Sequence, residues 1–130
     1  MMQWTAWTTL ASMLMYGWTV KNVGAARLKH KIMAPSMDGP LEFLSACRVQ
    51  ANTIEQMILF LPLLWLCAMF LNDRWAAIGG ALWILGRVIY ALGYYNDPPK
   101  RAVGFGISIV ATLGLLIASA VGLITNGQYL

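Results

Sequence analysis

Three arginines, one carboxylate, one amide and two phenols recur at helical spacing in stretches otherwise almost without charge. In the run RVQANTIEQ, Arg48, Asn52 and Glu55 stand at i, i+4 and i+7, on one face of a helix. In RVIYALGYYNDPPKR, Arg87, Tyr90 and Tyr94 stand at i, i+3 and i+7, again on one face, and Arg101 follows Pro98 and Pro99. A guanidinium reads a carboxylate through two parallel N–H bonds. With Arg27 added, four arginines stand against Glu55, all toward one end of the predicted bundle. That excess suits a small anion and leaves Glu55 to receive an ammonium. A zwitterion with two carboxylates and one amine would satisfy the set. The simpler alternative pairs Glu55 with Arg48 or Arg87, so that the stripes only tie helix to helix. A lone ion pair does not need four arginines.

The elements that position these residues belong in a bilayer. Of 130 residues, 59% are hydrophobic and 11% charged, too little polar surface to coat a water-soluble globule. No charged side chain occurs in residues 1–20, 56–72 or 102–130, and Trp75 to Tyr95 contains only Arg87. Each stretch is close to the roughly 20 residues that span a hydrocarbon core. The pattern predicts helices near 4–28, 41–71, 75–95 and 102–125 in a single domain covering 1–130. The expected fold is all-α, an integral membrane four-helix bundle. Residues 1–20 lack the basic start of a secretion signal, so they read as a retained helix. Pro35, Gly39 and Pro40 mark the first loop, Asn72-Asp73-Arg74 the second, and Pro98-Pro99 the third.

Ionisable residues inside such spans cost about 2.5–3.5 kcal/mol each near the bilayer centre, so each needs a partner, a cavity or a ligand. Lys21, Arg27, Lys29 and Lys31 flank the first loop and Lys100 and Arg101 the third, which places both in the cytoplasm by the positive-inside rule. Trp4, Trp7, Trp75 and Tyr129 then fall at the far interface. The net charge of +4 is a topology signal and gives no reason to expect nucleic acid. Cys47 and Cys67 lie 20 positions apart on one predicted helix, about 30 Å, and read as buried apolar thiols. Nothing suggests a metal site. In the fourth helix Gly104, Ser108, Thr112, Gly114, Ala118 and Gly122 form a small-residue pattern suited to close packing.

The two motifs, in their two helices, resemble those of the MAPEG family, the membrane-associated proteins of eicosanoid and glutathione metabolism. The resemblance covers nearly the whole chain. It implies a homotrimer with glutathione as co-substrate, bound between neighbouring subunits and open to the cytoplasm. Carried over by position, Arg27, Arg48, Gln50, Asn52, Glu55, Arg87, Tyr90 and Tyr94 would bind glutathione, and Arg101 would stabilise its thiolate. The implied activity is conjugation of glutathione to hydrophobic electrophiles, with lipid hydroperoxides as further substrates, in a bacterial inner membrane or the endoplasmic reticulum. Gln56 stands where the leukotriene-forming members have tyrosine, helix four has no tryptophan, and Ala102 stands where prostaglandin E synthases carry serine. These departures favour general conjugation over eicosanoid synthesis. Two alternatives are a lipid-presenting protein of the same fold without catalysis and a small proton-coupled exporter using Glu55.

Overall fold

The computed structural model describes residues 1–127. Four helices lie among them: α1 Gln3–His30, α2 Leu41–Phe70, α3 Asp73–Asn96 and α4 Ala102–Asn126. A 3-10 turn, Pro98–Arg101, joins α3 to α4. The expected boundaries hold to within two residues at every end. α1 runs on to His30, where Lys31 closes it in the left-handed conformation (φ 56°), its N–H returning to the Arg27 carbonyl. The tight α2–α3 turn is set by Asn72, whose side-chain oxygen accepts from the N–H groups of Arg74 (2.8 Å) and Trp75 (3.2 Å) and caps α3. Tyr129, expected at the far interface, lies outside the described residues.

Helices α2, α3 and the segment Pro98–Asn126 are each long and apolar enough to cross a membrane. The richly threonine- and tryptophan-bearing α1 is held alongside them at both ends. At one end the Asp73 carboxylate accepts from the backbone N–H groups of Trp4 (3.1 Å) and Thr5 (2.9 Å), so α3 supplies the cap that α1 lacks in its own sequence. At the other, Asn22 Nδ2 donates to the Tyr95 hydroxyl (3.1 Å), and Lys29 pairs with Glu42 (2.9 Å). α1 therefore traverses the same thickness as its neighbours, and the chain is an integral membrane four-helix bundle. Trp4, Trp7 and Trp75 are exposed together at the α2–α3 end, and both cysteines are buried and free.

The core is aromatic at its centre, with Phe60 and Trp83 fully buried and stacked at 3.9 Å. Pro62 lies within α2 without ending it. The tightest contact joins α3 to α4. A Cβ on Gly104 would collide with the Tyr90 backbone, and one on Gly86 would come within 2.7 Å of the Ser108 nitrogen. Ser108 and Thr112 are buried on the same seam, and a Cβ on Gly122 would come within 2.7 Å of the Phe70 backbone. Gly114 departs from the expected pattern. It faces open space, because 100° per residue carries it off the seam that Gly104, Ser108 and Thr112 define.

Gly104→Ala should lower stability by about 1–3 kcal/mol by forcing α3 and α4 apart, whereas Gly114→Ala should change little. Thermal unfolding in detergent measures both. Equal melting temperatures for the two variants would contradict the packing described.

Candidate functional site

The α3–α4 seam brings two polar stripes to one pocket. α2 contributes Arg48 and Asn52, α3 contributes Tyr90 and Tyr94, and the turn into α4 contributes Pro99, Arg101, Ala102 and Phe105. The pocket has a volume of about 430 Å³. Its position follows from local sequence. The i, i+4 spacing aims Arg48 and Asn52 the same way, and Tyr90 and Tyr94 do likewise from α3. Pro98 and Pro99 cannot extend α3, so the chain turns through 3-10 geometry and starts α4 with Arg101 beside the tyrosines.

Aromatic rings and guanidinium groups alternate from the pocket wall into the core behind it. Arg101 Cζ lies 5.3 Å from the Tyr94 ring centroid, Tyr94 meets Tyr90 edge-on at 5.7 Å, and Arg87 Cζ lies 4.0 Å over Tyr90. Such cation–π contacts hold a guanidinium without neutralising it. Arg101 is further fixed by its Nη1, which donates to the Pro98 carbonyl (3.1 Å), leaving its other N–H groups available. The five expected residues Arg48, Asn52, Tyr90, Tyr94 and Arg101 are thus gathered at one place.

Arg87 is fully buried behind this wall and does not line the pocket. Its Nη2 donates to Asn52 Oδ1 (3.0 Å) and Thr53 Oγ1 (2.8 Å), so it joins α3 to α2. Its Nε and Nη1 have no hydrogen-bond partner among the described residues. With Oδ1 engaged by Arg87, Asn52 is left with its two N–H donors for the pocket. Within the chain, then, Arg87 orients Asn52 in place of contacting what the pocket holds.

Three other expected residues lie elsewhere. Gln50 stands about 200° around α2 from Arg48 and its Nε2 donates to the Tyr16 hydroxyl on α1 (3.1 Å). Arg27 lies over Phe43, 5.0 Å from the ring centroid, and donates to the Ser36 carbonyl in the first loop (2.8 Å). Glu55 continues the Arg48–Asn52 stripe but is exposed, halfway along α2. The only ion pairs among the described residues join Glu42 to Lys29 and His30, so Glu55 pairs with neither Arg48 nor Arg87. Pairing of Glu55 therefore does not bind these helices together. Pro99, expected only as a loop residue, and Phe105, which the sequence reading does not name, also line the pocket. Phe105 was legible in principle, at i+4 from Arg101 on the same face.

The MAPEG family model matches residues 5–121. Over 121 residues the chain is 40% identical to an uncharacterized protein of Synechocystis sp., covering 93% of this chain and 88% of that protein. Over 87 residues it is 42% identical to microsomal glutathione S-transferase 2 of Mus musculus, covering 67% of this chain and 59% of that one. Over 118 residues it is 30% identical to leukotriene C4 synthase of Bos taurus, covering 91% and 79%.

Thr53→Val removes an acceptor from buried Arg87 without altering the pocket lining. It should lower stability by about 1.5–3 kcal/mol, the range for hydrogen bonds to charged groups, while Thr53→Ser should retain most of it. Thermal unfolding of the two variants measures the difference. Equal destabilisation of both would contradict the Arg87–Thr53 bond.

Proposed function

The chain belongs to the MAPEG family, and from that premise we propose that it is a membrane-bound glutathione transferase joining glutathione to hydrophobic electrophiles drawn from the bilayer. The observation that carries this reading is the convergence of Arg48, Asn52, Tyr90, Tyr94 and Arg101 on one pocket. Two arginines and an amide suit the two carboxylates of glutathione. The names of two relatives, a glutathione S-transferase and leukotriene C4 synthase, agree with use of this substrate.

The exposed Glu55 at mid-helix bears on assembly. A carboxylate there cannot face lipid without a penalty of about 2.5–3.5 kcal/mol. We place a second copy of the chain over this stripe, in a homotrimer, so that Glu55 receives the glutathione ammonium between subunits. Arg27 and Gln50, which point away from the pocket of their own chain, would then serve that of a neighbour. The basic residues around the first and third loops support, by the positive-inside rule, a mouth that opens to the cytoplasm.

The chemistry is nucleophilic substitution. The thiol proton leaves to water at the open mouth, and the thiolate remains beside Arg101. Free thiols have a pKa near 8.5, and lowering it by about two units takes roughly 2.7 kcal/mol of selective thiolate stabilisation. A fixed guanidinium in a partly dehydrated site supplies energy of that order. The sulfur lone pair then forms the C–S bond, and with an aryl halide the halide leaves with the electron pair of the broken bond. An apolar electrophile reaches the thiolate from the bilayer between helices, which suits the partly apolar lining that Phe105 provides.

Arg101→Ala should keep glutathione affinity within a few-fold while conjugation to an aryl halide falls roughly a hundredfold, equivalent to about 2.7 kcal/mol of transition-state stabilisation. Arg101→Lys should recover only part of the rate, because an ammonium on a flexible stem is less fixed. Steady-state kinetics with a binding assay measure both. Full activity in Arg101→Ala would remove Arg101 from the mechanism, and joint loss of binding and rate would make it a carboxylate clamp instead.

A further inference from the structure

A second pocket, of about 400 Å³, opens at the same end of the bundle on the other side of the wall that α2 and α3 form. The two sites use different faces of the same helices. Ala46 lines this pocket and Arg48 the other, about 200° apart on α2. Tyr94 and Tyr95 are consecutive and line different pockets. Alanines keep the space between α1 and α2 open, and Trp18 and Tyr95 meet edge-on at its side, 6.0 Å between centroids.

The polar groups carry both signs. Lys29 Nζ lies 2.9 and 3.1 Å from the two Glu42 oxygens, and His30 Nε2 lies 3.2 Å from Oε2. Tyr95 accepts from Asn22 and keeps its own O–H to donate. An anion would meet Lys29 but also the Glu42 carboxylate. A cation would meet Glu42 and two aromatic rings but also Lys29. A molecule with both charges, spaced by a short linker, matches the pocket better than either alone.

The surroundings point to a lipid rather than a free solute. The pocket sits at the basic end of the bundle, where headgroups of the adjacent leaflet lie. It opens among α1, α2 and α3, and a third pocket, lined by Trp4, Thr8, Arg74, Ala77 and Ala81, lies between α1 and α3 toward the far end. Ala77 and Tyr95 are five turns apart on one face of α3, about 27 Å. Exposed Leu14 and Leu92 lie a turn inward from Trp18 and Tyr95, offering apolar surface for acyl chains.

We propose that this pocket binds the headgroup of a phosphatidylethanolamine-type lipid. Its phosphate would be held by Lys29 with the Tyr95 hydroxyl, and its primary ammonium by Glu42 and the aromatic faces. The N–H bonds of a primary ammonium satisfy the Glu42 carboxylate, which a choline headgroup cannot do. The site does not depend on glutathione binding.

The test is lipid-dependent thermal stability of the detergent-solubilised protein, with short-chain phosphatidylethanolamine, phosphatidylcholine and phosphatidylglycerol as probes. Phosphatidylethanolamine should bind about fivefold more tightly than the other two, the factor expected for one charge contact near a membrane surface. Glu42→Gln should abolish its advantage over phosphatidylcholine, and Lys29→Ala should weaken both. The ratio between lipids is read within each variant, so any general loss of stability cancels. Glycerophosphoethanolamine, which has the headgroup without chains, should give a much smaller shift. No preference in the wild-type protein, or a preference that survives Glu42→Gln, would overturn the proposal. A full-sized shift with glycerophosphoethanolamine would overturn the lipid assignment.

Discussion

A guanidinium or carboxylate held at bilayer depth has to be faced by something polar, and much of this molecule is arranged around that requirement. Arg87 meets it inside the chain through Asn52, Thr53 and the Tyr90 ring. Arg101 meets it at the end of the span through Pro98 and Tyr94. Arg48 and Glu55 are exposed without ion-pair partners among the described residues. The first two are held within the chain, Arg87 with its Nε and Nη1 still unpartnered, while the second two face outward with their demand unfilled, and that division marks the stripe as a candidate site.

The small-residue seam between α3 and α4 converts this demand into geometry. Because Gly86 and Gly104 admit backbone against backbone, Tyr90 and the start of α4 come close enough to share one wall. Close packing here does more than stabilise the bundle. It sets the distance between Arg101 and the tyrosines, so a change at Gly104 would be felt at the site as well as in stability. The same α2–α3 wall presents its other face, with Tyr95 and Glu42, to the basic end of α1.

The helices, their loops and both stripes were legible in the sequence because a 3.6-residue period assigns each residue to a face. Arg48, Asn52, Tyr90, Tyr94 and Arg101 meet as that period requires. Periodicity does not say what a face meets. Arg87 shares its stripe with Tyr90 yet ends up buried behind Asn52, because α3 packs closely on α2 at that level. Gln50 enters only through the family resemblance and not through the stripe, and its angle on α2 directs it to Tyr16. Arg27 follows its own loop to Ser36. Gly114 belonged to the composition of helix four but not to its seam. The cap that Asp73 gives to α1 was not legible, since it joins residues 68 and 69 positions apart.

The central claim is that the exposed stripe of α2 reads glutathione. Thermal unfolding of the detergent-solubilised protein across a glutathione titration tests it most directly. A ligand at a hundred times its Kd adds about 2.7 kcal/mol of stability, so the wild-type melting temperature should rise clearly. Arg48→Ala and Glu55→Ala should each lose most of that rise, because removing one partner of a desolvated charged contact costs roughly 2–5 kcal/mol. A wild-type protein that glutathione does not stabilise, or a rise that both variants retain in full, would contradict the account.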